Sequence, residues 1–169
     1  MLTRHLTSLR PSRSLFTGPG SPGLANRLRN ARAGLFVRLH LTGFYWGDCS
    51  LSNTLFRRDA GALAAYLVDA ETGELHPRLS NGQREHDLDI AQVNIAGELM
   101  DLAAGGFLEE HAEPFEVAAS IIERYHTLWA TLHDTERFES GDRWRVDERI
   151  RRLNELGFDV DELSITTDI

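Results

Sequence analysis

Apolar residues recur at helical spacing in four separate stretches of the chain. The first runs from residue 24 to about residue 41 and stops before Gly43, and the second covers residues 83–104 and stops before Gly105. The third begins at Pro114 and reaches about residue 133, and the fourth spans about residues 143–156. Apolar positions that repeat every three or four residues line one side of a helix. The pattern therefore predicts a mainly helical chain.

Between the first two helical stretches the pattern changes to that of short strands. The apolar pair Leu55-Phe56 leads to a turn signal at residues 59–61, and a second apolar run over residues 62–68 ends on Asp69. Two such runs around a glycine-containing turn are typical of a β-hairpin. Residues 72–84 are polar, contain Pro77 and an Asn-Gly pair, and indicate a loop. The predicted fold class is α+β, mainly helical, with one small β-hairpin.

Three polar side chains flank this hairpin and are spaced so that they can meet. Asp48 and Asn53 precede its first strand, and Asp69 ends its second strand. Carboxylate and amide oxygens are the hard ligands that Mg²⁺ prefers, whereas zinc prefers histidine and cysteine. The spacing therefore indicates a magnesium site at the base of the hairpin.

The same residues carry a resemblance to a known group of enzymes. The pattern begins with Gly47-Asp48, continues after four residues with Asn53 and a hairpin, and ends on Val68-Asp69. It resembles the catalytic core of the protein-kinase-like phosphotransferases, such as aminoglycoside, choline and lipopolysaccharide-core kinases. The wider sequence, GFYWGDCSLSNTLF through YLVDAETGEL, is similar to a bacterial kinase-like family catalogued as a domain of unknown function. The resemblance implies that residues 24–169 form the C-terminal lobe of a kinase-like fold.

The resemblance also implies roles for individual residues. Asp48 would accept the proton of the substrate hydroxyl, while Asn53 and Asp69 would hold Mg²⁺ and, through it, ATP. An acid near the start of the following helix would bond the catalytic-loop backbone, and Asp87 and Asp89 are the two candidates; the alternative is that they only complement the helix dipole.

Two positions depart from the kinase pattern. Trp46 stands where the loop usually has histidine or a small polar residue, and Asp69 is followed by Ala70-Glu71 rather than Phe-Gly. Of that triplet, only Asp69 matches the kinase motif. Glu71 is either an extra metal ligand or a solvated turn residue.

The chain contains no lysine, although kinases of this class use one to hold the ATP phosphates. Too little sequence precedes Asp48 for the glycine-rich lobe that carries it. We therefore expect the isolated chain to be inactive, and to dock with a missing N-terminal lobe or to self-associate.

Charge divides the chain unevenly. The net charge is −8, yet seven arginines and no acid precede Asp48. Residues 1–23, rich in Arg, Ser, Gly and Pro, are predicted to form a flexible basic arm. Its composition is also that of a transit peptide, but a translation start placed upstream of the natural domain explains the same features and is the interpretation favoured here. The arm lacks the interleaved aromatic residues of a nucleic-acid binder, so we do not expect nucleic-acid binding.

Cysteine and hydrophobic content narrow the class of protein further. One cysteine, Cys49, allows no internal disulfide, which fits a reducing, cytoplasmic compartment. Asp48 beside it opposes thiolate formation, so Cys49 is interpreted as a packing residue. No apolar run approaches the length of a membrane span.

These observations lead to two functional hypotheses. The first is the catalytic lobe of an ATP- and Mg²⁺-dependent phosphotransferase that acts on a small molecule or a glycan. The second is a non-catalytic kinase-like module that binds a partner or regulates it. An in-frame glycine-rich strand pair and a lysine upstream would favour the enzyme, and the acceptor substrate is not specified by the sequence.

Overall fold

A computed structural model describes residues 10–11, 23–59, 62–108, 113–133 and 142–155. In chain order the elements are β1 (Arg10–Pro11), α1 (Leu24–Leu41), β2 (Phe44–Tyr45), β3 (Thr54–Asp59), β4 (Ala62–Leu67), β5 (Glu74–Leu75), α2 (Asn81–Ala104), α3 (Pro114–His133) and α4 (Arg143–Glu155). The predicted class, α+β and mainly helical, is confirmed. None of the described helices has the length and apolar character that a membrane span needs.

The chain divides into two compact units, residues 1–132 and 133–169. In the first unit the predicted hairpin is present, with β3 and β4 antiparallel from the pair Thr54–Leu67 to the pair Asp59–Ala62. Strand β1 extends this sheet along β3. Those two residues fall in the stretch assigned to the basic arm, and the rest of the arm before Gly23 lies outside the described residues, as do Ala60 and Gly61 of the turn.

Two short strands form where the sequence indicated only loop. Strand β2 pairs with β5 through Phe44–Leu75 and Tyr45–Glu74, so the segment 72–84 is not a continuous loop. Gly43 makes the approach possible, since its φ is +80° and a Cβ there would lie 2.0 Å from the carbonyl oxygen of His76. This close contact of two backbones needs a residue without a side chain.

Helix α2 begins two residues earlier than its apolar pattern predicted. Ser80 accepts a hydrogen bond from the backbone N–H of Gln83, and the Gln83 side chain accepts one from the backbone of Ser80. This capping box satisfies two donors that the start of a helix leaves free. The five apolar residues predicted for its inner face are all buried, namely Leu88, Ala91, Ile95, Leu99 and Leu102.

The apolar faces predicted for α1 and α3 need correction. In α1 the buried residues include Arg32, Phe36 and Val37, so the buried face is wider than the leucine repeat suggested. In α3 the apolar stripe is buried at Ala118, Ile121 and Tyr125, among others, but Phe115, which was expected to belong to it, is 61% exposed. It lies in the first turn of the helix, where the core no longer covers it.

The second unit contains the described helix α4. Leu153 is buried and Trp144 is exposed, and Arg145 pairs with Asp142 at 3.5 Å near its start. Gly157 and Phe158 after this helix form a sequence pattern that predicts a helix cap, and the acidic tail 159–169 suggests an edge strand; both lie outside the described residues.

Candidate functional site

The candidate catalytic loop, residues 46–53, lies between β2 and β3, and its first residues are hydrogen-bonded to one carboxylate. Asp87, in the second turn of α2, accepts hydrogen bonds from the backbone N–H groups of Trp46 at 2.9 Å and of Gly47 at 2.7 Å. Of the two acids considered for this contact, Asp87 makes it. Asp89 is exposed, and because α2 begins at Asn81 and has no acid in its first turn, the helix-dipole alternative does not apply to either residue.

Asp87 is held in turn by a buried polar network. Its Oδ2 lies 3.0 Å from Nε2 of His40, and Nδ1 of the same ring lies 2.8 Å from the hydroxyl of Tyr125. A carboxylate only accepts, so Nε2 of His40 donates to Asp87. The Tyr125 hydroxyl accepts from Arg84 Nη1 at 3.0 Å and can donate to Nδ1 of His40.

Arg84, which donates to Tyr125, is the last member of this network. Its guanidinium lies 4.0 Å from the ring centre of Trp129 and donates to the side chain of Asn81 at 2.7 Å. A cation above an indole face is a favourable arrangement. Burial raises the pKa of Tyr125 to about 12, although Arg84 opposes the shift, so the phenol keeps its proton at neutral pH. The position of His40 near the end of α1 predicts a core or capping role, and the side chain is buried in the core.

Trp46, the departure from the kinase loop pattern, is a core residue. Its side chain is fully buried and its ring lies 5.4 Å from that of Phe36. Its indole nitrogen has no hydrogen-bond partner among the described residues. Trp46 therefore anchors the start of the loop in two ways. Its side chain packs in the core, and its backbone N–H donates a hydrogen bond to Asp87.

Beyond Trp46, the side chain of Asp48 points to the surface. It is exposed, and Oδ1 accepts a hydrogen bond from the amide of Asn94 at 3.3 Å. Asn94 is on α2, two turns after Asp87. An exposed carboxylate held at one oxygen leaves the other oxygen open to an incoming hydroxyl group.

The hairpin brings Asn53 and Asp69 to the same end of the sheet. The backbone N–H of Val68 donates to the carbonyl of Asn53 at 3.0 Å, which continues the β3–β4 pairing by one step. Asp69 is the next residue after Val68. Its φ is +63°, and among the described residues it is the only non-glycine with positive φ.

Positive φ at a residue with a side chain is uncommon and strained, although aspartate tolerates it better than most. Such strain is found preferentially at functional sites. Glu71, the other acid of the triplet, is exposed in the turn that follows, in agreement with the solvated-turn interpretation.

The middle of the loop is held by two side chains that the sequence analysis did not single out. Glu98 of α2 accepts from the backbone N–H of Leu51 at 2.6 Å and from the hydroxyl of Ser52 at 3.0 Å. Arg32 of α1, which is buried, donates from Nη1 to the carbonyl of Ser50 at 3.2 Å. Helix periodicity alone labels both as polar-face residues, and only the tertiary contact reveals them.

Cys49 is fully buried, as its interpretation as a packing residue requires. Burial raises the pKa of its thiol to about 12, with Arg32 nearby opposing the shift. A thiol in this state is a poor nucleophile at neutral pH.

The donor set fits magnesium by its chemistry. Asn53 and Asp69 offer an amide oxygen and a carboxylate, which are the ligand types that Mg²⁺ takes alongside water and phosphate. Within the described ranges there is no cluster of three or more His, Cys, Asp or Glu side chains that could hold a metal. A site built by these two residues therefore depends on oxygen atoms from a bound nucleotide or from water.

Comparison with known proteins gives a family match over part of the chain. No curated protein matches the chain. Residues 127–169 match the model of a domain of unknown function (DUF4032). The matched stretch includes the end of α3 and all of α4, and it does not include the loop, the hairpin or α2. Over residues 127–169, this chain is thus similar to a domain to which no function is assigned.

Proposed function

We propose that residues 24–132 contain the catalytic loop and metal-binding hairpin of a kinase-like phosphotransferase that uses ATP and Mg²⁺. The observation that carries the proposal is the hydrogen bond from the backbone N–H of Val68 to the carbonyl of Asn53. This bond brings Asn53 and Asp69 to one end of the hairpin. Asn53 thus lies opposite Val68, and Asp69, whose φ is +63°, is the first residue after that pairing.

The role of Asp48 follows from its surroundings. Its carboxylate is exposed and is oriented through one oxygen by Asn94, so it can accept the proton of an acceptor hydroxyl. The loop before it is fixed by Asp87, which keeps the base in place without reorganisation during the reaction. The acceptor would be a small molecule or a glycan.

The role of the hairpin is to bind the metal. Asn53 and Asp69 would hold Mg²⁺, which when bound neutralises charge on the ATP phosphates. The strained backbone of Asp69 supports this role, because a position kept at positive φ despite carrying a side chain points to a need for that side chain.

A metal-binding experiment tests the proposal directly. Paramagnetic Mn²⁺ is added with ADP to the isotopically labelled full chain, and the broadening of backbone amide signals is followed. We expect broadening centred on Asn53 and Asp69, and its loss in Asn53→Ala and in Asp69→Asn.

The matched control is Glu71→Gln, which removes a neighbouring exposed acid and should leave the broadening unchanged. Broadening that is spread over all surface acids, or that survives both site variants, would favour the non-catalytic module instead.

A further inference from the structure

Helix α2 presents three polar side chains along a single line to the candidate loop. Asp87, Asn94 and Glu98 are separated by seven and four residues, which places them within about 40° of one another around the helix axis. In the same order they contact Trp46 and Gly47, then Asp48, then Leu51 and Ser52. The helix therefore contacts the loop at three successive points.

The last of these contacts, made by Glu98, lies between Asp48 and Asn53, the proposed base and the proposed metal ligand. Leu51 and Ser52 stand after Asp48 and directly before Asn53. Both oxygens of Glu98 are used, one on the backbone of Leu51 at 2.6 Å and one on the hydroxyl of Ser52 at 3.0 Å. Hydrogen bonds to a charged acceptor are shorter and stronger than neutral ones.

The preceding residue of the loop, Ser50, is held by a charge of the other sign. The buried guanidinium of Arg32 donates to the carbonyl of Ser50. Burial lowers the pKa of Arg32, while Cys49 and Glu98 oppose that shift. The two charged groups thus hold neighbouring residues of the loop from two different helices, and Glu98 also favours the charged form of Arg32.

We propose that Glu98 is a positioning residue of the candidate site: by holding Leu51 and Ser52, it sets the distance between the base Asp48 and the metal ligand Asn53. This inference rests on the proposed function, because the distance matters only if the base and the metal ligand act on the same phosphoryl transfer, from ATP to the acceptor hydroxyl. Glu98 does not itself touch the substrate or the metal.

The experiment compares Glu98→Ala with Glu98→Gln, which keeps an acceptor oxygen, and with Asp101→Ala, which removes an exposed acid from the same helix. Amide hydrogen exchange is measured by NMR on the full chain. In Glu98→Ala we expect Leu51 to exchange about tenfold faster or more. The amides of Trp46 and Gly47, which are bonded to Asp87, should change less than about twofold. Glu98→Gln should restore most of the protection, and Asp101→Ala should behave as wild type.

The second readout is the Mn²⁺–ADP broadening at Asn53. It should weaken in Glu98→Ala and recover in Glu98→Gln. If Glu98→Ala does not fold, Ser52→Ala serves in its place, because it removes one exposed contact and should weaken metal–nucleotide binding about two- to tenfold with no change in melting temperature.

The outcomes separate the two proposals. Unchanged exchange at Leu51 overturns the anchoring role of Glu98, and faster exchange with unchanged Mn²⁺–ADP binding overturns its positioning role. Absence of Mn²⁺–ADP binding in the wild-type chain, with normal protection of Leu51, overturns the proposed function and the positioning role with it.

Discussion

Asp87 Oδ2 lies 3.0 Å from Nε2 of His40, and neither side chain has any exposed surface. The same carboxylate accepts the backbone N–H groups of Trp46 and Gly47. One buried acid thus connects the end of α1, the start of the loop and α2. Its removal would leave one ring donor and two backbone donors without a partner in the core, which is a costly situation.

Asp87→Ala should therefore lower the free energy of unfolding by about 3 kcal/mol or more, since each buried donor left without a partner costs about 1–3 kcal/mol. Asp89→Ala, at an exposed position two residues further along α2, should change it by less than about 0.5 kcal/mol. Urea denaturation of both variants measures the difference. Equal effects would show that Asp87 contributes no more than an exposed acid of the same helix.

Stability should fall at high pH because two buried groups hold their protons more tightly in the folded state. The pKa values of Cys49 and Tyr125 are each raised to about 12 by burial. Above about pH 9 the unfolded chain begins to lose these protons while the folded chain retains them, so the unfolded state binds fewer protons and the free energy of unfolding decreases with pH.

Urea denaturation at pH 8, 9 and 10 checks the slope, which should be smaller in Cys49→Ala. Alkylation of Cys49 by iodoacetamide at pH 8 should also be much slower in the folded chain than in urea. Rapid alkylation of the folded chain would contradict the burial of this thiol.

Because the backbone of Asp69 is strained, substitutions there can separate effects on stability from effects on metal binding. Asp69→Gly should raise the free energy of unfolding by about 1 kcal/mol or less, since glycine adopts positive φ without strain. Asp69→Val should lower it by about 1–2 kcal/mol. Both should lose Mn²⁺–ADP binding. A glycine variant that is more stable and still binds would show that the carboxylate is not a ligand.

Asp48→Asn tests the proposed base in an enzyme that contains this loop. The substitution keeps the shape and one accepting oxygen, and it removes the group that takes the proton. Turnover should fall about 10²–10⁴-fold, the usual contribution of a general base, with unchanged nucleotide affinity.

Asp69→Asn, measured beside it, should also weaken nucleotide affinity, because asparagine tolerates the same backbone conformation but is a poorer metal ligand. If activity followed melting temperature in both variants, the two acids would have only structural roles. Full turnover in Asp48→Asn would contradict the assignment of the base.

Local patterns in the sequence were sufficient for the four helices and the hairpin, and for part of the contacts around the loop. The bounds of α1 and α3 agree with the apolar repeats, and the hairpin follows from two apolar runs around a turn. The link between Asp87 and the loop was predicted only as one of two options, because Asp87 and Asp89 have the same local context. Burial distinguishes them, and burial depends on what packs above the helix.

The contacts made by Glu98, Arg32 and Tyr125 could not be predicted in this way. Arg32 lies among the arginines of α1 and Glu98 among the acids of α2, where solvent exposure is the usual outcome for charged residues. The pairing of β2 with β5 was missed for a related reason, since two-residue strands carry no periodicity. Each of these features joins segments that are distant in sequence.

The seven- and four-residue spacing of Asp87, Asn94 and Glu98 has a consequence for how this part of the gene can change. A single-residue insertion between the first and last of them would rotate the later side chains by about 100° around the helix and turn them away from the loop. Substitutions at the outward positions Val93 and Met100, which are exposed, disturb nothing in that alignment. Helix α2 can therefore vary in sequence on its outer side while its length between Asp87 and Glu98 stays fixed.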